Sequence, residues 1–286
     1  MENIKKTTPH RVGIVLANEE LDIPALKFFI LSMNALQDQF EYEFLPTPDH
    51  GELFEELQKI EDVDREAVRS YVPNFLVDFP KWLEKLEDGY NLPHPRPDQW
   101  IIVSEACFSD NFYNMRENHV SVIALGNWQR SMAPPSLFEF IQTLIVRESI
   151  AGVCPALRGS VHLGTRGCIC DFTAYLEDTR LKVLSGFICH SCEQALAASS
   201  RPTLATTVRY ILNKKWVGNL SDPTSTTSVL AKLRYNLFLS TGLKPTFLES
   251  TINLLQTEGV KALVTLFGAV ALAGLLFFFG LKSGGS

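Results

Sequence analysis

Apolar and polar positions follow two rhythms along the chain. RVGIVLA (11–17) is a short apolar run with β-branched residues and reads as a buried strand. DIPALKFFILSMNALQDQF (22–40) then spaces its apolar residues at helical intervals. EYEFLP (41–46) alternates as a second strand, ended by the turn residues of PTPDHG. The acid-rich stretch 52–88 predicts helix, broken near Pro73 and Pro80 because proline removes a backbone donor from the helix interior. A loop with three prolines covers 91–100. QWIIVSEA (99–106) and HVSVIALG (119–126) read as two further strands. Strands alternating with helices predict a mixed α/β fold, a partly parallel sheet with flanking helices.

The clearest helix is SLFEFIQTLIVRESIAGV (136–153). Ser136 can cap it, and Glu139 stands three residues later as a capping box requires. Leu137, Phe140, Ile141, Leu144 and Ile145 share one face. Beyond the cysteine-rich segment that follows, residues 197–227 turn small and polar and read as a linker, with TTVRYILNKKW as a short helix inside it. SVLAKLRYNLFLSTG (228–242) predicts a helix, and Pro245 suits the first turn of another. That last helix can run into ALVTLFGAVALAGLLFFFGL (262–281), which carries no charge. Twenty helical residues span about 30 Å, the thickness of a bilayer's hydrocarbon core. Lys261 and Lys282 flank the stretch and can reach the headgroups. The expected layout is therefore a folded domain over 1–196, a linker over 197–227, a helical juxtamembrane segment over 228–261 and a transmembrane helix over 262–281.

Charge and composition narrow the partners. The 286 residues are 46% apolar and carry a formal net charge of −6. No Lys/Arg-rich run relieves that acidity, so nucleic-acid binding is not expected. The N-terminus lacks the long apolar core of a signal peptide. With only SGGS after Lys282, the expectation is a single-pass, tail-anchored membrane protein with its folded part in the cytoplasm. In that reducing compartment six cysteines speak for metal rather than disulfides.

Five of those six cysteines lie between Cys154 and Cys192. Cys189 and Cys192 have the C-x2-C spacing of a metal knuckle. A tetrahedral zinc needs a second pair brought close by folding. Cys168 is the third ligand, since thiolates predominate in structural sites. The fourth stays open, with His162 first and Cys170 and Cys154 in reserve. A redox role for Cys189 and Cys192 is the alternative, because FICHSCEQAL also reads as strand leading into helix. Arg166 is expected to stand beside the thiolates and offset their charge.

RGCICDFTAYLEDTRLKVLSGFICHSCEQAL resembles the structural-zinc segment of the archaemetzincin-like metallopeptidases, in which a cysteine is followed about twenty residues later by C-x2-C. The likeness covers residues 95 to 197 in the order strand, strand, long helix, cysteine segment. It implies that Cys168, Cys189 and Cys192 are structural zinc ligands, with His162 where the family has a cysteine. That family carries H-E-x-x-H on its long helix. Here the helix reads R-E-S-I-A (147–151), so Glu148 is kept while Arg147 and Ala151 replace both histidines. Arginine cannot ligate a metal, and without one Glu148 has no bound water to activate. Glu148 is then expected as a helix-surface carboxylate or a partner for Arg147.

Together these readings describe a non-catalytic membrane protein whose zinc-stabilised domain senses a partner or ligand. Gly268, Ala271 and Gly274 place small residues along the apolar stretch, where membrane helices approach closely, so homo-oligomerisation is expected there. A membrane effector of bacterial stress or antiphage defence fits this build. Two enzymatic readings compete. One is a membrane-tethered zinc hydrolase using His162, Glu148 or Asp171, and the other is a thiol oxidoreductase working through Cys189 and Cys192.

Overall fold

A computed structural model describes residues 8–237 apart from 93, 94, 127, 160 and 202, together with 246–255, 265 and 271. The chain divides into two units, Met1–Leu243 and Lys244–Ser286. In the first, the strands are β1 (His10–Leu16), β2 (Phe40–Leu45), β3 (Gln99–Ser104), β4 (Asn114–Glu117) and β5 (Val120–Ala124). They form a sheet in the order β2-β1-β3-β5-β4, parallel except for the β4–β5 hairpin.

Position in the sheet accounts for each strand's composition. β3 and β5 are buried along their whole length, as is β1 beyond its first two residues. A strand covered on both faces needs a continuous apolar run, which is what these three carry. β2 lies at an edge and alternates, with Glu41 and Glu43 near Arg11 of β1 at 3.6 and 4.0 Å. At the opposite edge β4 is short and antiparallel, reversing into β5 through Asn118 in a left-handed conformation that asparagine tolerates. The 99–126 region thus holds a strand that alternation over four residues was too brief to announce.

Helices cover both faces. On one lie α1 (Pro24–Leu31) and α4 (Leu137–Val153), packed with the strand side chains Val12, Ile14, Leu16, Ile101 and Val103. On the other lie α2 (Glu52–Leu57) and α3 (Arg65–Tyr90), against Val15, Trp100 and Ile102. The predicted breaks at Pro73 and Pro80 do not occur: α3 runs through both. Two lost backbone bonds are offset by an aromatic face, where Phe75 and Phe79 stack at 4.9 Å and meet Trp100 edge-on at 5.8 and 5.3 Å. The break comes earlier, between α2 and α3, with Ile60 and Asp62 left-handed.

α4 starts with the predicted capping box, Ser136 and Glu139 bonding each other's backbone amides. Its apolar residues do not form one stripe. From Leu137 to Ala151 every residue except Glu139 is buried, because β3 packs on one side while α1 and α5 (Leu176–Ser185) cover others. Beyond α5 follow α6 (His190–Ala197), α7 (Leu204–Asn213) and α8 (Thr226–Lys232), with α6 packed on α7 and α8 on α1.

The segment 197–227 therefore does not behave as a free linker. Leu204, Val208, Ile211 and Leu212 of α7 are buried in the main core with Leu230 of α8, so the folded unit extends well past residue 196. The small polar residues between them serve caps and turns, as where Ser225 caps α8 through the Ser228 amide. In the second unit α9 (Phe247–Leu254) is the described helix. The expected transmembrane stretch 262–281 lies outside the described residues except for Thr265 and Ala271. Among the described residues no helix is long and apolar enough to cross a membrane.

One close approach ties β3 to β5 at their C-terminal ends. A Cβ on Gly126 would meet the carbonyl oxygens of Glu105 at 2.5 Å and Ala106 at 2.8 Å. Both obstacles are backbone and cannot swing away. Gly126→Ala should lower stability by about 1–3 kcal/mol. Urea unfolding should show a lower midpoint with an unchanged slope, and an unchanged midpoint would refute this.

Candidate metal centre

Two stretches with little regular structure build the site. The first, 161–172, folds back on itself: Val161 donates to the Cys170 carbonyl (3.1 Å) and Phe172 to that of His162 (2.7 Å). Gly167 is left-handed at φ 75°, turning the chain immediately before Cys168. Asp171 closes the loop from inside, its Oδ2 accepting from the backbone amides of Arg166 (2.6 Å) and Cys168 (3.0 Å). In the second stretch Gly186 ends α5 in a left-handed conformation, Ile169 pairs with Phe187 (2.9 Å), and Cys189 serves as the N-cap of α6.

These turns bring His162, Cys168, Cys189 and Cys192 together. Their ligand atoms all lie within 4.8 Å of one another and all four residues are buried. His162 Nε2 is 3.0 Å from Cys189 Sγ and 3.2 Å from Cys192 Sγ, and the Cys168 and Cys192 sulfurs are 3.9 Å apart. Metal–sulfur bonds of about 2.3 Å at tetrahedral angles separate two sulfurs by roughly 3.8 Å, so the set is of a size to hold one tetrahedral ion. Cys189 and Cys192 open α6, where free amides and the helix dipole favour thiolate.

The thiols also show what the ion would supply. A hydrogen bond with Cys170 and burial push Cys168 well up, while burial and the nearby Cys168 charge push Cys192 up to about 12. Burial also acts upward on Cys189, but hydrogen bonds from Ser191 and Cys192 outweigh it and leave it lowered. Cys189 therefore ionises more readily, while Cys168 and Cys192 resist ionising. A cation at their centre reverses that.

The reserve ligands lie outside the group. Cys170 is a hydrogen-bond neighbour of Cys168, and the Cys154 thiol donates to the Ala195 carbonyl at 3.7 Å. Arg166 does not neutralise the thiolates, since its side chain is exposed and its backbone amide is what joins the loop. None of the described cysteines is in a disulfide.

Glu148 stands elsewhere, and not on a surface. It is 2% exposed on α4, where Arg116 of β4 grips it through Nε to Oε2 and Nη2 to Oε1, both at 2.7 Å, with Asn114 Nδ2 at 3.1 Å. Burial would raise its pKa, but the charges of Arg116 and Arg147 outweigh that and hold the carboxyl below its ordinary range. Arg116 also donates to the Arg158 carbonyl, and Arg147 Nη2 to that of Gly159 at 2.8 Å. Arg147 is therefore a buried neighbour of Glu148 whose own hydrogen bond goes to the backbone. Ser104 donates to Asn18 Oδ1 (3.0 Å), and the same oxygen accepts from the Glu105 amide, so both hold a loop.

No family model and no curated protein matches the chain. A solved structure, the crystal structure of archaemetzincin (amzA) from Methanopyrus kandleri, is 10% identical to it over 73% of this chain and 99% of its own, with a TM-score of 0.40.

Arg116 and Asn114 escaped the sequence reading because β4 did. The signal was there in N-M-R-E, where Asn114 and Arg116 fall two apart and so on one face of a strand. Because the folded-state pKa of Glu148 is lowered, its ion pair stabilises fully above the ordinary glutamate range, and this is lost as pH falls through the lowered value. Glu148→Gln, which leaves Arg116 without its buried counter-charge, should cost about 3–5 kcal/mol at neutral pH. Urea titrations should show that cost shrinking toward acid, and a pH-independent difference would contradict the ion-pair account.

Proposed function

We propose that this chain is a non-catalytic protein whose zinc-stabilised α/β domain recognises a partner or ligand and is joined to a C-terminal membrane anchor. The observation that carries the reading is the closed donor set. His162, Cys168, Cys189 and Cys192 supply four buried ligands, and a structural zinc takes four, whereas a catalytic zinc keeps one position for water. When bound, the zinc would supply folding energy to the loop and no chemistry to a substrate.

Glu148 supports the same reading. A general base must be free to take a proton, and this carboxylate has both oxygens bonded to a fixed cation. The anchor rests on the uncharged stretch 262–281 between Lys261 and Lys282, and the small residues Gly268, Ala271 and Gly274 favour self-association there. Coupling between domain and anchor, as in a stress or antiphage effector, follows from that build as a proposal.

Metal content of the purified protein decides the central point. The expected result is about one zinc per chain, the complement of a four-ligand structural site. Cys192→Ser should lose the metal together with cooperative folding, while Cys170→Ser and Cys154→Ser retain both. A second, exchangeable zinc would overturn the non-catalytic reading, and metal retained by Cys192→Ser would overturn the ligand set.

A further inference from the structure

On the face of the sheet opposite the cysteine centre, α2, α3 and the loop before α2 enclose a pocket of about 350 Å³. That is within the usual range for small-ligand sites. Its apolar lining is mostly aromatic, with Phe54 from α2 and Tyr71, Phe75, Phe79 and Trp82 from α3 beside Pro48 and Leu53. The spacing explains this, since positions 71, 75, 79 and 82 follow one face of a helix. Phe79 stacks on Phe75 at 4.9 Å and on Trp82 at 5.5 Å, while Phe54 meets Phe75 edge-on at 5.9 Å. Phe75 and Phe79 are buried, whereas Tyr71 and Trp82 remain half-buried.

The polar lining carries one sign of charge. Asp49, Glu52 and Asp78 all line the pocket and are exposed, with no lysine or arginine among the lining residues and His50 the sole basic side chain. Glu52 accepts a hydrogen bond from Asn74 (3.0 Å), a neutral partner that leaves its charge uncompensated. Aromatic rings attract cations through their quadrupole, and low-dielectric walls concentrate the field of the nearby carboxylates.

We propose that this pocket binds a small quaternary ammonium cation. The choice among cations follows from hydration. A metal ion or primary ammonium holds its water strongly and would lose it against the aromatic wall, while a methylated ammonium is weakly hydrated and presents methyl groups to it. The choice of a free molecule over a phospholipid headgroup follows from charge, because a phosphate beside the ammonium would face Asp49, Glu52 and Asp78. Nothing in this assignment depends on the metal centre.

The test is calorimetric titration of the full chain, in a non-ionic detergent, with choline. Choline should bind saturably, and 3,3-dimethylbutanol, its uncharged counterpart of the same shape, at least about tenfold more weakly. Asp78→Asn at an exposed position and Trp82→Ala at a half-buried one leave the core in place, and each should weaken choline roughly fivefold or more. Absence of choline binding would overturn the proposal, as would equal binding of the neutral analogue or an unchanged affinity in both variants. Tighter binding of a soluble short-chain phosphatidylcholine would overturn the free-molecule form in favour of a lipid headgroup. Zinc content is measured separately, so either assignment can fail without the other.

Discussion

A carboxylate inside a helix that is buried on nearly all sides is the constraint around which this structure is arranged. α4 fills the space between the sheet and the C-terminal helices, and Glu148 sits near its end with 2% of its surface exposed. Desolvating a lone carboxylate there would cost several kcal/mol, so a cation has to be brought to it. The cation arrives from the sheet's antiparallel edge: β4 exists as a strand long enough to present Asn114 and Arg116. Arg116 then holds the Arg158 carbonyl as well, and Arg147 that of Gly159. One ion pair thereby joins sheet edge, central helix and the start of the loop that leads to His162.

That loop is otherwise held by scattered contacts: Lys182 donates to the Asp171 carbonyl, Thr173 bonds the Tyr113 hydroxyl, and Ile169 is buried. Between Gly159 and Leu176 the backbone has isolated bridges in place of a ladder, and Leu163 is 90% exposed, with Phe172 and Tyr175 also open to solvent. Its buried apolar residues, Cys168, Ile169 and Cys170, are few against the entropy of ordering the whole stretch. Asp171 supplies part of the deficit by accepting two backbone amides from within. The four ligands supply the rest when a metal is present, since a preformed site does not exist in the unfolded chain and binding energy becomes folding energy.

How much of this was legible follows from which interactions are local. β1, β3 and β5 announced themselves because burial on both faces demands continuous apolar runs, and α4 because a capping box is a local motif. The cysteine spacing pointed to Cys168, Cys189 and Cys192, and the fold brings His162, the first of the candidates left open for a fourth donor, together with them. Two failures share one cause, tertiary packing overriding a local tendency, and the third is a missing local signal. Aromatic stacking carried α3 through two prolines. Burial of Leu204, Val208 and Ile211 drew a polar-looking linker into the core. The partner of Glu148 lies 32 residues earlier, on a strand too short to show a rhythm.

The two faces of the sheet solve different packing problems, and this bears on where a ligand can go. The α4 face is filled by a large core with the ion pair and the cysteine group at its margin. The α2–α3 face closes with bulky rings on two helices of unequal length, six residues against twenty-six. Rings that meet edge-on and offset leave space that aliphatic side chains would have filled. The loop at Asp49 and His50 roofs that space without plugging it. A cavity that costs packing energy persists where its walls also serve a guest. Carboxylates around aromatic walls are what a weakly hydrated cation would need, which is why the proposed recognition is placed on this face and not on that of the cysteine group.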